Sequence, residues 1–186
     1  CTCVHTLIGS KLPEQKLDAY HQGKFKEVNL ADYRGKWLVL FFYPADFTFI
    51  CPTELVEMAE LYPEFQKLDA EIISVSTDTK FVHKAWHDTS PSIAKINFPM
   101  LADPTGELCK ALGTYIPAEG LSLRGSFIVD PDSVIQAYEI HANNIGRSAA
   151  ELLRKLQAAR YVRENDGEVC PANWKPGATT LRPGED

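Results

Sequence analysis
An α/β fold is predicted by three features of the chain. First, KWLVLFFY (36–43) is apolar almost without a break, which suits a strand covered on both faces of a sheet. Second, an amphipathic segment, TELVEMAELYPEFQKL (53–68), follows it and leads into a further apolar strand, EIISVSTD (71–78). The order strand, helix, strand implies a right-handed parallel βαβ unit. Third, SFIVD (126–130) and VIQAYEIHA (134–142) flank the turn Pro131-Asp132-Ser133 and read as an antiparallel hairpin.

The other elements take their places around that frame. KLDAY (16–20) and FKEVNL (25–30) flank the turn HQGK, an N-terminal hairpin. In 53–68, Leu55, Met58 and Leu61 recur at helical spacing with acids between them. That segment is a helix despite Pro63, which should bend it. TKFVHKAWHD (79–88) reads as a helix, FPMLAD (98–103) as a short strand, and Asp103-Pro104-Thr105 as the start of another helix. SAAELLRKLQAARYVREN (148–165) is the clearest helix, with Ser148 as cap and Glu151 three residues on. The last stretch, 166–186, is rich in Gly and Pro and lacks periodicity. It reads as an arm, and its Cys170 and Trp174 call for something to pack against. The expected division is a domain over 1–165 and an arm over 166–186.

Composition excludes several classes of function. The 186 residues suffice for one domain with a sizeable core, and 45% hydrophobic with 24% charged residues is soluble-globular. A net charge of −6 with no basic run argues against nucleic acid. No apolar stretch reaches the roughly 20 residues that span a bilayer. The opening CTCVHTLIGSK lacks the basic start and apolar run of a secretory signal, so a cytoplasmic location is expected. Five cysteines, an odd count without CxxC, do not form a disulfide framework or a zinc ribbon. His83 and His87 form HxxxH without the glutamate of HExxH and without a third ligand. They read as two polar residues on an exposed helix, and no metal site is expected.

Cys51 is the residue that calls for chemistry. A thiol reacts as its thiolate, which the partial positive charge of a helix N-terminus favours. Cys51-Pro52 suits such a start, because proline is tolerated in the first turn, where N–H groups lack intrahelical partners. Thr48 is placed to cap the same turn, and Pro44 to stiffen the loop and shield one side. The residues alone leave two readings open, a reactive thiol or a small buried hydrophobe, which is what most free cysteines are.

Residues 44–51, PADFTFIC, match the PxxxTxxC signature of peroxiredoxins, extended by Pro52-Thr53-Glu54, and GEVCP follows at 167–171. VSTDTKFVHKAWH (75–87), LADPTGEL (101–108), RGSFIVDP (124–131) and IGRSAAELLRKLQAARYV (145–162) extend the likeness over almost the whole chain. The sequence thus resembles a typical two-cysteine peroxiredoxin of the alkyl hydroperoxide reductase C branch. The resemblance implies a thioredoxin-like fold, a central mixed sheet flanked by helices. It also implies a thiol-dependent peroxidase for hydrogen peroxide and alkyl hydroperoxides, with no metal, haem or flavin of its own. Cys51 would be the peroxidatic cysteine that becomes a sulfenic acid, and Cys170 the resolving cysteine that condenses with it across a homodimer. Thr48 would hold the peroxide, and Arg124 would stabilise the thiolate and bind peroxide oxygen. Glu54 and Arg147 would orient that shell. For the disulfide to form, the first turn of the Cys51 helix must unravel.

The implied electron donor is thioredoxin or a flavoprotein disulfide reductase, and the implied assembly is a ring of five dimers. Cys109 is expected in the core, and Cys1 and Cys3 as mobile thiols. The loop 89–95 has no glycine and the C-terminus no Tyr-Phe pair, so the restraints of easily overoxidised relatives are expected to be missing. The rival functions are a holdase chaperone, whose activity would survive Cys51→Ser, and a peroxide sensor relaying oxidation to a partner.

Overall fold
The structure is a computed structural model and describes residues 6–184; Cys1 and Cys3 lie outside the described residues. Alternation along one strand sets the architecture. In β3 (Trp37–Phe42) all six side chains are buried. Trp37, Val39 and Phe41 join one core cluster, and Leu38, Leu40 and Phe42 join another on the opposite face. A strand of that kind must be covered on both sides.

Seven strands form the sheet. β3 pairs in parallel with β4 (Ala70–Ser76), and β4 pairs in parallel with β5 (Met100–Ala102). β8 (Arg124–Val129) runs antiparallel to β3 and to β9 (Ile135–His141). On the far side β1 (Lys16–His21) pairs antiparallel with β5 and with β2 (Lys24–Asn29). The spatial order is β2-β1-β5-β4-β3-β8-β9, a mixed sheet. A separate two-stranded ribbon joins β6 (Tyr115–Ile116) to β7 (Leu121–Ser122).

One face of the sheet is covered by α1 (Cys51–Lys67) and α4 (Ala149–Glu164), which bury Leu55, Met58, Phe65, Leu152 and Leu156. Trp86 of α2 (Lys80–Thr89) packs into the same cluster. α3 (Glu107–Ala111) covers the other face with Leu108 and Cys109. The strand, helix, strand unit and both hairpins therefore stand where the sequence puts them. Ser148 caps α4, accepting from the Glu151 N–H at 3.2 Å. Thr79 caps α2 in the same way.

Beyond α4 the described chain carries no further helix or strand, only an antiparallel bridge between Val169 and Leu181. Trp174 in this stretch is buried, its ring 4.8 Å from that of Tyr161 on α4. No helix among the described residues is long and apolar enough to cross a membrane.

Candidate active site
β3 delivers the chain to the site and α1 leads it away. Between them residues 43–50 form a loop whose turn includes Phe47 at φ 55°. That backbone conformation is unfavourable for a bulky side chain, by about 1 to 2 kcal/mol, and Asp46 holds it in place. The Asp46 N–H donates to Asp78 Oδ2 at 2.8 Å, and its carboxylate accepts from Tyr43 Oη at 2.6 Å and faces His83 Nδ1 at 2.7 Å. His83 also donates through Nε2 to the Leu101 carbonyl at 3.0 Å. Burial alone would lower the His83 pKa, but the Asp46 contact outweighs it and holds the imidazole above its ordinary value.

α1 begins at Cys51 itself. Its N-cap is Ile50, which makes no side-chain cap bond. The expectation that Thr48 caps this turn is corrected here, because the Thr48 hydroxyl donates to the Ala45 carbonyl at 2.8 Å. Pro44 is buried in the same loop. Cys51 is fully buried beside Phe41 and Tyr43, in the same core cluster.

A chain of three charged side chains leads away from that sulfur. Arg124, at the start of β8, is 3% exposed and donates from Nη1 to Cys51 Sγ at 3.3 Å. The same Nη1 donates to Glu54 Oε2 at 2.8 Å, one turn along α1. Arg147, from the loop before α4, meets Glu54 through its backbone N–H at 2.8 Å, Nε at 2.9 Å and Nη2 at 3.0 Å. Its remaining donor bonds the Gly125 carbonyl and Ser126 Oγ, and its guanidinium lies 3.6 Å from the Phe41 ring centroid. Burial would raise the Glu54 pKa; the Arg147 contacts outweigh it and hold the carboxyl below its ordinary value.

A charge count shows what this arrangement can do. Two buried guanidiniums against one buried carboxylate leave one positive charge uncompensated. A buried excess charge is costly, and a partner of opposite charge beside Arg124 would offset it. The helix start adds its partial positive charge on the same side. Among the described residues no three His, Cys, Asp or Glu side chains cluster as a metal site would need.

Comparison with known proteins gives the family. A family model described as AhpC/TSA family matches residues 8–138. The chain belongs to the AhpC/TSA family. A second family model, the C-terminal domain of 1-Cys peroxiredoxin, matches residues 158–186, a span in which this chain carries Cys170. Alkyl hydroperoxide reductase C of Pseudomonas aeruginosa is 51% identical over 97% of each chain, and that of Escherichia coli K12 likewise 51%. Among solved structures, AhpC of Enterococcus faecalis superposes with a TM-score of 0.88 at 50% identity, covering 90% of this chain and 100% of that one. The reduced 2-Cys peroxiredoxin of Plasmodium vivax reaches 0.92 at 33% identity, with 96% and 94% covered. The fold is thus the thioredoxin-like fold of peroxiredoxins, and the chain is a thiol-dependent peroxidase.

Within this peroxiredoxin, contacts run from Cys51 to Arg124, on to Glu54 and from there to Arg147, and Pro44 and Thr48 lie in the loop that leads to Cys51. Cys170 stands apart. It is partly exposed on the arm, its Sγ 3.9 Å from the Ala158 carbonyl of α4, and both it and Cys51 are free thiols. The reading of His83 and His87 as polar residues on an exposed helix is corrected. His83 is fully buried against Asp46, and His87 is half-buried between Tyr20 and the Ile96 carbonyl. Sequence reasoning missed the Asp46–His83 link beneath the loop. Its signal was the spacing of His83 and Trp86, three apart on the buried face of α2.

Proposed function
We propose that Cys51 is the peroxidatic nucleophile, that Cys170 resolves it, and that Arg124 and Thr48 serve the first step. The observation that carries this reading is the 3.3 Å contact from the Arg124 guanidinium to Cys51 Sγ in a pocket with one excess positive charge. The Cys51 thiolate attacks the terminal oxygen of the peroxide. The S–O bond forms as the O–O bond breaks, and the departing alkoxide or hydroxide is protonated, leaving Cys51 sulfenic acid and an alcohol or water. Arg124 holds the anion before the step and the developing negative oxygen during it. Thr48, whose proton is given to Ala45, offers its hydroxyl oxygen to the peroxide O–H and so sets the line of attack. Glu54 and Arg147 fix Arg124, and buried Pro44 keeps water from one side.

The Cys170 thiol then displaces hydroxide from the sulfenic sulfur, forming a disulfide and releasing water. In the reading supported by relatives named alkyl hydroperoxide reductase C and 2-Cys peroxiredoxin, this bond joins two subunits. Domain 1–165 of one copy then meets the arm 166–186 of the other. Cα atoms must come within roughly 4.4 to 6.8 Å, so the buried Cys51 turn has to unravel. Its start is suited to that, because Ile50 supplies no cap where a Ser or Asp would add about 1 kcal/mol. The 3-10 turn after α2, Ile93–Lys95, also lies in a loop without glycine, unlike the loop that restrains easily overoxidised relatives. Disulfide should therefore outpace sulfinic acid. Substrates are hydrogen peroxide and alkyl hydroperoxides, the reductant thioredoxin or a flavoprotein disulfide reductase, the assembly a ring of five dimers, and the location cytoplasmic.

Two variants test the reading. Cys51→Ser should abolish peroxidase turnover; substantial residual activity would sink the assignment. Cys170→Ser should consume about one equivalent of peroxide per subunit and then stall. Normal cycling with the protein reductant would remove Cys170 from the mechanism. Mass spectrometry of the wild type after turnover should find the Cys51–Cys170 disulfide in excess of Cys51 sulfinic acid.

A further inference from the structure
We infer that Glu168 is a positioning residue for the resolving step, a staple that closes the arm at its base and holds Cys170 in place on α4. The inference rests on the reading of Cys170 as the resolver. The Glu168 carboxylate gathers three donors from two parts of the chain. Its Oε2 accepts from Tyr161 Oη on α4 at 2.7 Å and from Thr180 Oγ1 at 2.6 Å; its Oε1 accepts from Arg182 Nη2 at 3.2 Å. Next along the chain, Val169 and Leu181 exchange backbone hydrogen bonds of 2.9 and 3.0 Å. Residues 170–180 thus form a loop whose two ends are tied to each other and to α4.

The loop is anchored from inside as well. The Trp174 indole donates to the Ala178 carbonyl at 3.0 Å, and the Trp174 carbonyl accepts from Arg154 Nη1 at 3.1 Å. Cys170 is the first residue past the tied base. It has little freedom to wander, yet its sulfur stays partly exposed. Fixing a reactant in this way raises its effective concentration at the place where the second sulfur must arrive.

The charge of Glu168 works in the opposite sense. Burial first and the Glu168 carboxylate second raise the Cys170 thiol pKa, while Arg154 lowers it, so Glu168 reduces the thiolate available for attack. Removing Glu168 therefore separates the two effects. If position governs resolution, the step slows; if charge governs it, the step accelerates.

The experiment uses the full chain, rapidly mixed with peroxide, quenched, and assayed by mass spectrometry for sulfenic acid and disulfide. Glu168→Ala should slow disulfide formation about tenfold, the scale expected when a tethered group loses its fixed geometry, with sulfenic acid forming at the wild-type rate. Glu168→Gln keeps an amide oxygen for Tyr161 and Thr180 and should restore resolution to within about threefold. Thr180→Val, which removes one donor, should fall between. A disulfide rate in Glu168→Ala equal to or above wild type overturns the staple. So does equal slowing of both steps, the mark of general damage. Normal cycling of Cys170→Ser would instead remove the resolver reading, whatever Glu168 does.

Discussion
Cys51 and Cys109 are both fully buried, both stand in the first turn of a helix, and both are free thiols. Their neighbours differ in sign. The Cys51 sulfur takes a hydrogen bond from the Arg124 guanidinium. Cys109 sits on the Asp103 carboxylate, whose Oδ2 accepts its backbone N–H at 2.9 Å, and burial followed by that carboxylate pushes the thiol up to about 12. A unit charge about 4 Å away contributes on the order of 4 kcal/mol at an effective dielectric of 20, and its sign decides which form is favoured. At Cys109 burial and the Asp103 carboxylate act in the same direction, whereas the nearest charged neighbour of Cys51 is a cation.

The largest way to break the contrast is to remove the carboxylate that organises the Cys51 side. Glu54 receives four hydrogen bonds from the two arginines, all buried. Glu54→Gln leaves two guanidiniums facing each other without a counter-charge, and should cost about 3 to 5 kcal/mol in urea unfolding. The sign with pH follows from its depressed carboxyl. The stabilisation is present above the unfolded-state value and is lost as pH falls through the folded one, so the variant should lack that acid limb. A variant as stable as wild type would show that the cluster does not hold the site.

Arg124→Ala acts on the sulfur directly. A hydrogen bond to a charged group is worth about 1.5 to 3 kcal/mol, so the first step should slow about 10- to 100-fold. Rapid mixing with peroxide measures the rate. An unchanged rate would mean that the Arg124 contact does not serve the first step.

How much of this was legible differs between the two sides of the contrast. β3 was legible, because a short β-prone run with no polar residue suits a strand covered on both faces. The Ser148 cap did too, because its bond is local. Cys51 was visible as a helix start, but Arg124 lies 73 residues away and was a surface base to any local reading. Only the family resemblance placed it. The partner of His83 was hidden for the same reason: Asp46 is 37 residues away in a loop, and the helical spacing of His83 and Trp86 marks a buried face without naming what lies against it. Local patterns carry elements, whereas the charges that tune a sulfur come from elements that tertiary packing brings together.

The smallest effect expected is at Cys109, and it tests the other side of the contrast. Cys109→Ala should leave peroxidase turnover at the wild-type level and cost about 1 kcal/mol at neutral pH, since a small buried side chain is trimmed. The informative quantity is the alkaline slope. The folded thiol is pushed up to about 12 from an ordinary value of 9.0. Above 9.0 the unfolded chain releases a proton that the folded one keeps, so the unfolded state binds fewer protons and stability must fall as pH rises toward 12. The loss from this group approaches about 1.4 kcal/mol per pH unit. Cys109→Ala lacks that proton, and the lysines and tyrosines common to both chains cancel in the difference. Urea unfolding of both proteins across this range should show the wild type losing stability more steeply, with parallel behaviour below 9.0. Parallel curves throughout would mean that Cys109 ionises as readily folded as unfolded. Burial and the Asp103 carboxylate would then not be holding the Cys109 proton.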